Sequence, residues 1–578
     1  MAFETTKGEA YWVLFSVLTL FTLLAFATTP FSISKLGFLP ESFLNFCCLA
    51  PKLSEGKSVT GADEGAKGDY FLSARNSASA VSVGLSFFAS GMGAWVLYGS
   101  SEIGATASVS WFGVIGYAFA SAFPAIIIAF LGPRIRDMAG EEKAFSTSDF
   151  ARVRYGRLMQ LVVSGVSIFY MFIYVVAEFT SISNVYRSLT NDWANTDETF
   201  GMSVAISLGV FTVFYTTVAG LPASIATDKF QALVIGVLMI MLLIAVTSFE
   251  ENRVTPEQFA VVSNWTGDGI MVFVSLVIAI ASAELFNQGT WQRVWAAESV
   301  PAMRKGFFLG SVLVFLLIFF FGVFGMIALA KQPDAYDFTN AYLAFFNILE
   351  PLSNFWHVMV LVLTTALAAS SVDSLQNALT SVFSRDLVKV GWNPLLVTRI
   401  LVIGINVYAV FLAVDGYSVL ALFLVADLVC ATSVLPLFLG MQTKDIGFLT
   451  APTELGSVMG CLAGVITVVV NGYVNKANGG GIFEYFWLKN DAVCALCGSK
   501  TMITFIVTPL SSAIFTYLAS MLDVAVRGER ARSPLFKVGF DSDDTIGGGS
   551  SGMVEEAKSP EVKEEVKSPE SEGEAYEA

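Results

Sequence analysis

The sequence is poor in the residues on which most enzymes rely. Its 578 residues include a single histidine, His357, and only 14% of them are charged, against about 25% in soluble globular proteins. One histidine leaves almost no material for a Ser-His-Asp triad or a His-ligated zinc, and no nucleophile stands beside a base. The sequence therefore predicts that the protein is not an enzyme, and a membrane-bound enzyme is the weakest alternative.

Cysteine is also scarce, and the basic residues form no patch of the nucleic-acid-binding kind. Six cysteines scattered over this length do not make a disulfide framework. Cys494 and Cys497 form a CxxC, where a local disulfide or two free thiols are favoured over a metal site because no second Cys or His pair accompanies them. Much of the net charge of −15 comes from the tail after about Ser542. No nucleic-acid partner is expected, and no obligate protein partner is inferred.

Apolar residues are abundant: they make up 55% of the chain, and the mean hydropathy is +0.66. A helix needs about 20 apolar residues to cross the hydrocarbon core of a bilayer, and about thirteen runs have this length. They lie near 11–33, 79–100, 107–131, 158–186, 202–219, 228–248, 268–288, 306–331, 354–383, 396–414, 417–440, 447–474 and 501–525. The first run is predicted to be a span rather than a cleavable signal, because no basic region precedes it. The sequence thus predicts an all-α polytopic membrane protein surrounded by lipid.

The positive charges predict the orientation of these helices. They concentrate in alternate loops, at Arg134, Arg136, Lys143, Arg152, Arg154, Arg157, Arg293, Arg304, Lys305, Arg385, Lys389, Arg527, Arg530 and Arg532. Because cytoplasmic loops are enriched in Lys and Arg, an odd number of spans puts the N-terminus outside and the tail in the cytoplasm of a plasma-membrane protein. The opposite loop, 249–267, contains the sequon Asn264-Trp265-Thr266, so Asn264 is a glycosylation candidate.

The acidic tail, 531–578, is predicted to be disordered and cytoplasmic. It is rich in Gly, Ser, Glu and Lys and has almost no large apolar residues. Ser559 and Ser568 each stand in a Lys-Ser-Pro-Glu unit and are phosphorylation candidates. A solvated tail without any regulatory role is the plainer alternative.

Two spans are interrupted in a way that is typical of transporters. The first, 79–100, contains Gly84, Gly91, Gly93 and Gly99, and the second, 268–290, ends in Asn287-Gln288-Gly289. Five spans separate the start of one from the start of the other, so the second copy runs in the opposite direction. Interrupted helices in matching positions of two inverted halves indicate a transporter binding site, although glycine alone is common in membrane helices.

Acidic residues inside apolar spans cost about 2.5–3.5 kcal/mol on insertion scales and therefore indicate function. Asp373 lies deep in the span 354–383, and spacings of three and four put Ser370, Asp373 and Ser374 on one helix face. Their oxygens are hard ligands suited to sodium, whereas the alternative is a Ser-rich face that packs closely. Asp228 opens the span 228–248, where an acidic residue also simply complements the helix dipole.

For two further acidic residues and two aromatic residues, the sequence is compatible with more than one role. Glu284, late in the second interrupted span, could hold a cationic or hydrogen-bond-donating substrate, pair with a buried Arg or Lys, or cap the break. Glu178, near the outer end of its span, is expected to have a packing or pairing role. Trp95 and Tyr98 follow the first glycine break and are candidate walls of a pocket, although most aromatics in such a chain face lipid or core.

These residues form part of a pattern that resembles the sodium:solute symporter family, which includes sodium-coupled proline, urea, pantothenate, iodide and sugar transporters. The resemblance runs from about Gly68 to Arg530. Each motif is weak by itself, but their order and spacing together are specific to the family. They are Gly68-Asp69-Tyr70-Phe71-Leu72-Ser73-Ala74-Arg75, Phe88-Ala89-Ser90-Gly91-Met92-Gly93-Ala94-Trp95, Ser146-Thr147-Ser148-Asp149-Phe150, Arg154-Tyr155-Gly156, Thr227-Asp228-Lys229-Phe230-Gln231, Asn287-Gln288, Gln292-Arg293, Ser370-Ser371 and Asp386.

The resemblance implies the inverted-repeat fold of the bacterial leucine transporter, with five plus five core helices and flanking helices. The implied division is an extra helix and linker (1–78), the first repeat (79–248), an extracellular loop (249–267), the second repeat (268–440), flanking helices (441–530) and the tail (531–578). It also implies a common sodium site from backbone carbonyls of Ala89, Met92 and Leu367 and hydroxyls of Ser370 and Ser371. Some members hold a second sodium, and the matching residues here are Asp228, Ser370, Asp373 and Ser374.

The sequence departs from known members at two positions that bear on the cargo. The proline branch has an Asp where Gly91 stands, and the sugar branch has aromatic and amide residues where Ala283 and Glu284 stand. A sugar is therefore not expected, and Glu284 would suit urea, a polyamine or another amino compound. The pocket candidates are Gly91, Trp95, Tyr98, Glu284, Asn287 and Gln288.

The function implied by the resemblance is symport of a small polar solute such as urea, a polyamine or a proline-like amino acid. Sodium is the expected coupling ion, with the proton as the other possibility. A channel or a transport-inactive solute sensor on the same scaffold is the alternative.

Overall fold

The computed structural model describes residues 3–28, 72–139, 144, 146–192, 198–336, 340–387, 394–414, 418–475 and 498–532. Within these ranges every regular element is a helix, and β pairing is limited to two isolated bridges. The α-helices are α1 (Lys7–Thr28), α2 (Ala80–Gly91), α3 (Val96–Ala105), α4 (Ser110–Ala139), α5 (Thr147–Arg154), α6 (Arg157–Leu189), α7 (Thr199–Ser248), α8 (Pro256–Val262), α9 (Gly267–Glu284), α10 (Gln288–Ala296), α11 (Val300–Lys331), α12 (Ala344–Leu349), α13 (Asn354–Val382), α14 (Pro394–Val414), α15 (Val419–Ala431), α16 (Val434–Phe438), α17 (Glu454–Asn475) and α18 (Ser499–Arg527). Ser559, Ser568, Cys494 and Cys497 lie outside the described residues.

The number of spans agrees with the sequence. Among the described residues, ten helices are long and apolar enough to cross a membrane, and two bent pairs raise the number to twelve. α7 has 50 residues, which at 1.5 Å per residue is about 75 Å, more than twice the hydrocarbon core of about 30 Å. Its helix is interrupted at Gly220 (φ 66°), just before Pro222. With α7 counted as two spans, the described residues carry the thirteen spans that the sequence predicts.

The two interrupted spans are broken where the sequence places the interruptions. α2 and α3 are bent by 71° across a break between Gly91 and Val96. α9 ends at Glu284, and α10 begins at Gln288 after a short turn. A further bend of 42° separates α15 from the segment that starts at Val434. Three spans of the bundle therefore expose backbone groups that an unbroken helix would use internally.

Small residues allow the first broken span to pack tightly against α11. A Cβ atom at Gly84 would lie 2.7 Å from the carbonyl oxygen of Gly306, and one at Gly104 would lie 1.9 Å from that of Gly322. Both distances are too short for any side chain, so glycine on each half of the span lets two backbones touch. This close approach is the usual way in which helices associate inside a membrane.

The outer surface of the helices is apolar, as expected for a protein in lipid. Trp12, Phe130, Leu233, Phe411 and Val526 are all more than half exposed, and they belong to five different helices. A soluble protein would not leave so many large apolar side chains exposed along its helices. The buried polar residues lie instead between the helices, and they define the site.

Candidate ion and solute site

The first break brings unpaired backbone into the interior of the bundle. α2 ends at Gly91, and Met92 is extended (φ −110°, ψ 114°). A Cβ atom at Gly93 would lie 1.4 Å from Oε1 of Glu178, so any side chain at this position would displace the carboxylate. The break is therefore built from a glycine that packs directly against a carboxylate.

Glu178 reaches this break from α6. Its side chain is fully buried, and Oε2 accepts a hydrogen bond from the Ala94 N–H at 2.9 Å. The second oxygen, Oε1, has no hydrogen-bond partner. Sequence reasoning placed Glu178 near the outer end of its span, in a packing or pairing role. The structure places it against the middle of the first broken span, where it packs on Gly93, and no basic side chain among the described residues pairs with it.

The predicted common sodium site gathers around the same break. Ala89 and Met92 lie at the end of α2 and in the break, and Leu367, Ser370 and Ser371 lie on α13; all five are buried. The Ser371 hydroxyl makes no hydrogen bond of ordinary geometry, but it lies within weak hydrogen-bonding reach of Glu178 and Tyr174. Ser370 differs, because it donates to Asp228 at 2.6 Å. The two serines therefore face different polar groups.

The residues of the predicted second sodium site also meet, but an arginine lies among them. Arg293 Nη2 is 2.9 Å from Asp228 Oδ2 and donates to Ser374 Oγ at 2.8 Å. The Arg293 Nε donates to Ser86 at 2.8 Å, and Nη1 donates to the Gly289 carbonyl at 2.7 Å. Both members of the ion pair are buried. The guanidinium therefore already supplies a positive charge to Asp228.

Arg293 is the clearest correction to the sequence interpretation. It was counted among the positive charges of a cytoplasmic loop, whereas in the structure it lies in α10 with its side chain buried. The Gln292-Arg293 motif marked the residue but not its partner, since α10 and α7 are far apart in sequence. The pair with Asp228 depends on how the two halves of the bundle meet.

Asp373 forms the other half of this polar network. Its Oδ2 accepts a hydrogen bond from Tyr215 at 2.6 Å, and its Oδ1 accepts from Ser224 at 2.7 Å and from Ser374 at 3.2 Å. Every donor is a neutral hydroxyl, and the side chain is fully buried. Ser374 touches both Asp373 and Arg293, so the four predicted residues belong to one connected network.

The second break is capped by Glu284. Tyr170 donates to Glu284 Oε1 at 2.7 Å, while Asn287 and Thr290 donate to Oε2 at 3.2 and 3.3 Å. Asn287 in turn accepts from the Gly289 N–H at 3.1 Å and so caps α10. Of the roles that the sequence left open for Glu284, capping the break is therefore one that it fills.

Glu284 also lines a cavity of about 40 Å³ between Trp95 at the first break and the helices α4, α6, α9 and α15. The lining residues are Trp95, Tyr117, Tyr170, Tyr174, Leu276, Ile280, Ala283, Glu284, Leu420, Phe423, Leu424 and Asp427. Five aromatic side chains and two carboxylates thus surround one space. It has room for a few water molecules but not for an organic solute, so the bundle must open to admit one.

Asp427 is a site residue that sequence reasoning missed. It lies in the apolar span α15, is 4% exposed, and has no hydrogen-bond or ion-pair partner among the described residues. A signal was available, because an acid within an apolar span indicates function. Tyr117, Tyr170 and Tyr174 carried no such signal, since an aromatic residue inside a membrane helix usually faces lipid or core.

The other pocket candidates lie elsewhere. The Tyr98 ring packs on Tyr342 and Phe346, and the Gln288 amide bonds to Thr147 and Ser167, so neither lines the cavity. The carbonyl of Gly91 accepts a hydrogen bond from Tyr174 at 2.7 Å, and Tyr174 also accepts one from the Trp95 indole at 3.1 Å. Trp95 and Glu284 are therefore the two sequence candidates on the cavity wall.

The glycosylation candidate Asn264 is exposed on the loop that precedes α9. Its side-chain amide donates to the carbonyl of Val261 at 2.7 Å. Exposure is compatible with modification, which stays a prediction.

A helical bundle in which two broken spans carry buried acids and hydroxyls is the architecture of a secondary transporter. The chain belongs to the sodium:solute symporter family, whose model matches residues 70–439. It is therefore a transporter and not an enzyme, as the sequence predicts.

Two known proteins are similar to most of the chain. A spermidine transporter, DUR31, of Candida albicans is 26% identical over 464 residues, which cover 79% of this chain and 85% of that protein. The structure of a Na⁺-coupled sialic acid symporter, in a substrate-bound outward-open state, superposes with a TM-score of 0.63 at 16% identity. It covers 89% of this chain and 98% of that one. The fold is thus the leucine-transporter type that the resemblance implied.

Proposed function

We propose that this protein is a sodium-coupled symporter of a small organic diamine or polyamine. The observation that carries the proposal is the pair of carboxylates, Glu284 and Asp427, on one aromatic-walled cavity. A protonated amine donates charge-assisted hydrogen bonds to a carboxylate, and cations are also attracted to the faces of Trp and Tyr rings. Two carboxylates in the same space suit a solute with two ammonium groups.

Other solutes fit this cavity less well. A proline-like amino acid carries its own carboxylate, which two acidic side chains would repel, and no basic residue lines the cavity. Urea is neutral and would leave both acids without a counter-charge, which is costly in a buried site. A similar protein is a spermidine transporter, and this favours the same class of cargo.

The proposed coupling ion is sodium, bound at the first break, with one ion carried per cycle. One ion is favoured because the guanidinium of Arg293 already neutralises Asp228 in the second predicted site. The two repeats, 79–248 and 268–440, would rock against each other to open the cavity to either side. The protein would lie in the plasma membrane, with the N-terminus outside and the tail inside. A 100 mV potential contributes about 2.3 kcal/mol per charge, so a cationic cargo is itself driven inward.

Uptake assays test the proposal. We expect cells expressing the protein to accumulate labelled putrescine or spermidine in sodium, to lose this uptake when choline replaces sodium, and not to accumulate urea or proline. Asp427→Asn and Glu284→Gln should each raise KM by about tenfold to a hundredfold, because a hydrogen bond to a charged group contributes about 1.5–3 kcal/mol. Glu257→Gln, which neutralises an exposed acid on α8, is the matched control and should leave uptake unchanged.

A channel or a transport-inactive sensor on the same scaffold predicts different results. A channel would pass current beyond transporter rates without accumulating solute against its gradient. A sensor would bind the amine with no uptake at all. Uptake of urea or proline that is unaffected by Asp427→Asn would contradict the polyamine assignment.

A further inference from the structure

We infer that Glu178 is a ligand of the coupling sodium, supplying a negative charge to the site at the first break. The inference rests on the proposed sodium coupling and goes beyond it, because the site predicted from the sequence contains only carbonyls and hydroxyls. It adds an anionic side chain from α6, a helix to which no ion ligand was assigned.

Glu178 is buried, and no basic side chain in the described part of the chain compensates its charge. The side chain is fully buried, and a lone carboxylate inside a membrane protein is strongly disfavoured unless a cation or a proton compensates it. No lysine, arginine or histidine among the described residues forms an ion pair with it. The ordinary structural explanation for a buried acid, an internal salt bridge, is therefore missing.

The carboxylate of Glu178 is held in place through only one of its two oxygens. Oε2 is fixed by the Ala94 N–H, and the absence of a side chain at Gly93 leaves the space that the carboxylate fills. Oε1 has no hydrogen-bond partner. A group held only to pack α6 against the break would not need a free, buried oxygen, and such an oxygen costs free energy.

A second buried oxygen, the hydroxyl of Ser371, lies beside the carboxylate. Ser371 Oγ is fully buried and makes no hydrogen bond of ordinary geometry, but it lies within weak hydrogen-bonding reach of the Glu178 carboxylate. Two buried oxygens that lie this close, one on a carboxylate and one on a hydroxyl, can bind a common cation. The last carbonyls of α2 lack intrahelical donors and carry the negative end of the helix dipole. Carboxylate, hydroxyl and carbonyl oxygens together form a hard ligand set for sodium.

The space beside Gly91 allows a carboxylate to be introduced at a second position near the break. A Cβ atom at Gly91 would meet nothing within 4 Å, and the residue is buried without a left-handed backbone. The position at which the proline branch carries an Asp is therefore open in this protein. An aspartate introduced there could return the carboxylate that a Glu178 substitution removes.

The test measures binding of labelled sodium to the purified full-length protein in lipid nanodiscs, without any solute. Glu178→Gln keeps an acceptor for the Ala94 N–H and removes only the charge. We expect its sodium affinity to fall at least tenfold, and the double variant Gly91→Asp with Glu178→Gln to regain most of it. Gly91→Asn with Glu178→Gln should not regain it. Glu102→Gln, the same substitution on α3 of the same broken span, should stay within about twofold of the original affinity.

A second measurement needs no variant and so does not depend on folding. A hydrophobic carbodiimide modifies buried carboxyl groups, and mass spectrometry of the Glu178 peptide gives the rate of modification. Sodium should slow this rate, whereas potassium and choline should not.

The outcomes separate this inference from the proposed function. If the unsubstituted protein binds no sodium, the proposed coupling fails. If it binds sodium but Glu178→Gln binds equally well, or sodium does not slow carbodiimide modification of Glu178, then Glu178 is not a ligand while sodium coupling stands.

Discussion

Arg293 and Asp228 carry opposite charges at the centre of the bundle, with neither exposed to solvent. Removing one partner of a buried pair leaves an uncompensated charge and costs about 3–5 kcal/mol, whereas replacing both by apolar residues is often tolerated. The guanidinium donates four hydrogen bonds, one each to residues of α2, α7, α10 and α13. One side chain therefore ties both broken spans to the helices on which the polar network is built.

We predict that Asp228→Asn destabilises the protein by about 3–5 kcal/mol, measured as a large fall in the Tm of the detergent-solubilised protein. The double variant Asp228→Leu with Arg293→Met should recover most of this loss. If Asp228 is instead a ligand of a second sodium, as the sequence predicts, Asp228→Asn would lower sodium affinity while leaving Tm in sodium-free buffer nearly unchanged.

At the scale of single residues, sequence reasoning identified acids but not their partners. Asp228, Ser370, Asp373 and Ser374 were grouped from helix periodicity and the family resemblance, and the structure does place them in one network. Arg293 could not be placed by the same means, because its pairing depends on contacts between distant helices. Asp427 could have been found from the cost of an acid in an apolar span.

An acidic side chain packs against each of the two helix breaks. Gly93 touches the Glu178 carboxylate, and Glu284 caps the second break through Asn287 and Thr290. In both cases a carboxylate lies against residues of the break, where the regular helical hydrogen-bonding pattern is interrupted. The breaks are thus stabilised by side chains that also line the proposed sites.

We predict that Gly93→Ala abolishes sodium-dependent uptake, because the added methyl group would overlap Glu178 Oε1 at 1.4 Å. Gly165→Ala is the matched control, since a Cβ atom at Gly165 on α6 meets nothing within 4 Å. It should leave uptake intact and stabilise the helix by up to about 1 kcal/mol. Normal uptake by Gly93→Ala would mean that the carboxylate does not need its present position.

The helices themselves were predicted well from the sequence. The need for about 20 apolar residues per span located each one, and the glycine and Asn-Gln-Gly signals located both breaks. The cavity could not be predicted from the sequence, because its walls come from four helices and the first break, which are brought together only by packing. The 50-residue α7 contains two of the predicted spans, 202–219 and 228–248, which are separated by a kink at Gly220, where the backbone is not helical.

For the molecule as a whole, the proposed cargo means that each transport cycle carries several positive charges across the membrane. A diamine carries two positive charges at neutral pH, and one sodium adds a third. At 100 mV these three charges contribute about 7 kcal/mol to uptake, at about 2.3 kcal/mol each. A neutral solute carried with one sodium would gain only a third of this.

The most direct test is therefore the ratio of charge to solute, measured by recording current and labelled putrescine uptake in the same voltage-clamped cells. The account predicts about three charges per putrescine in sodium, with both current and uptake lost when choline replaces sodium. A ratio near two that is unchanged in choline would show that the amine enters without sodium. That result would contradict sodium-coupled polyamine symport.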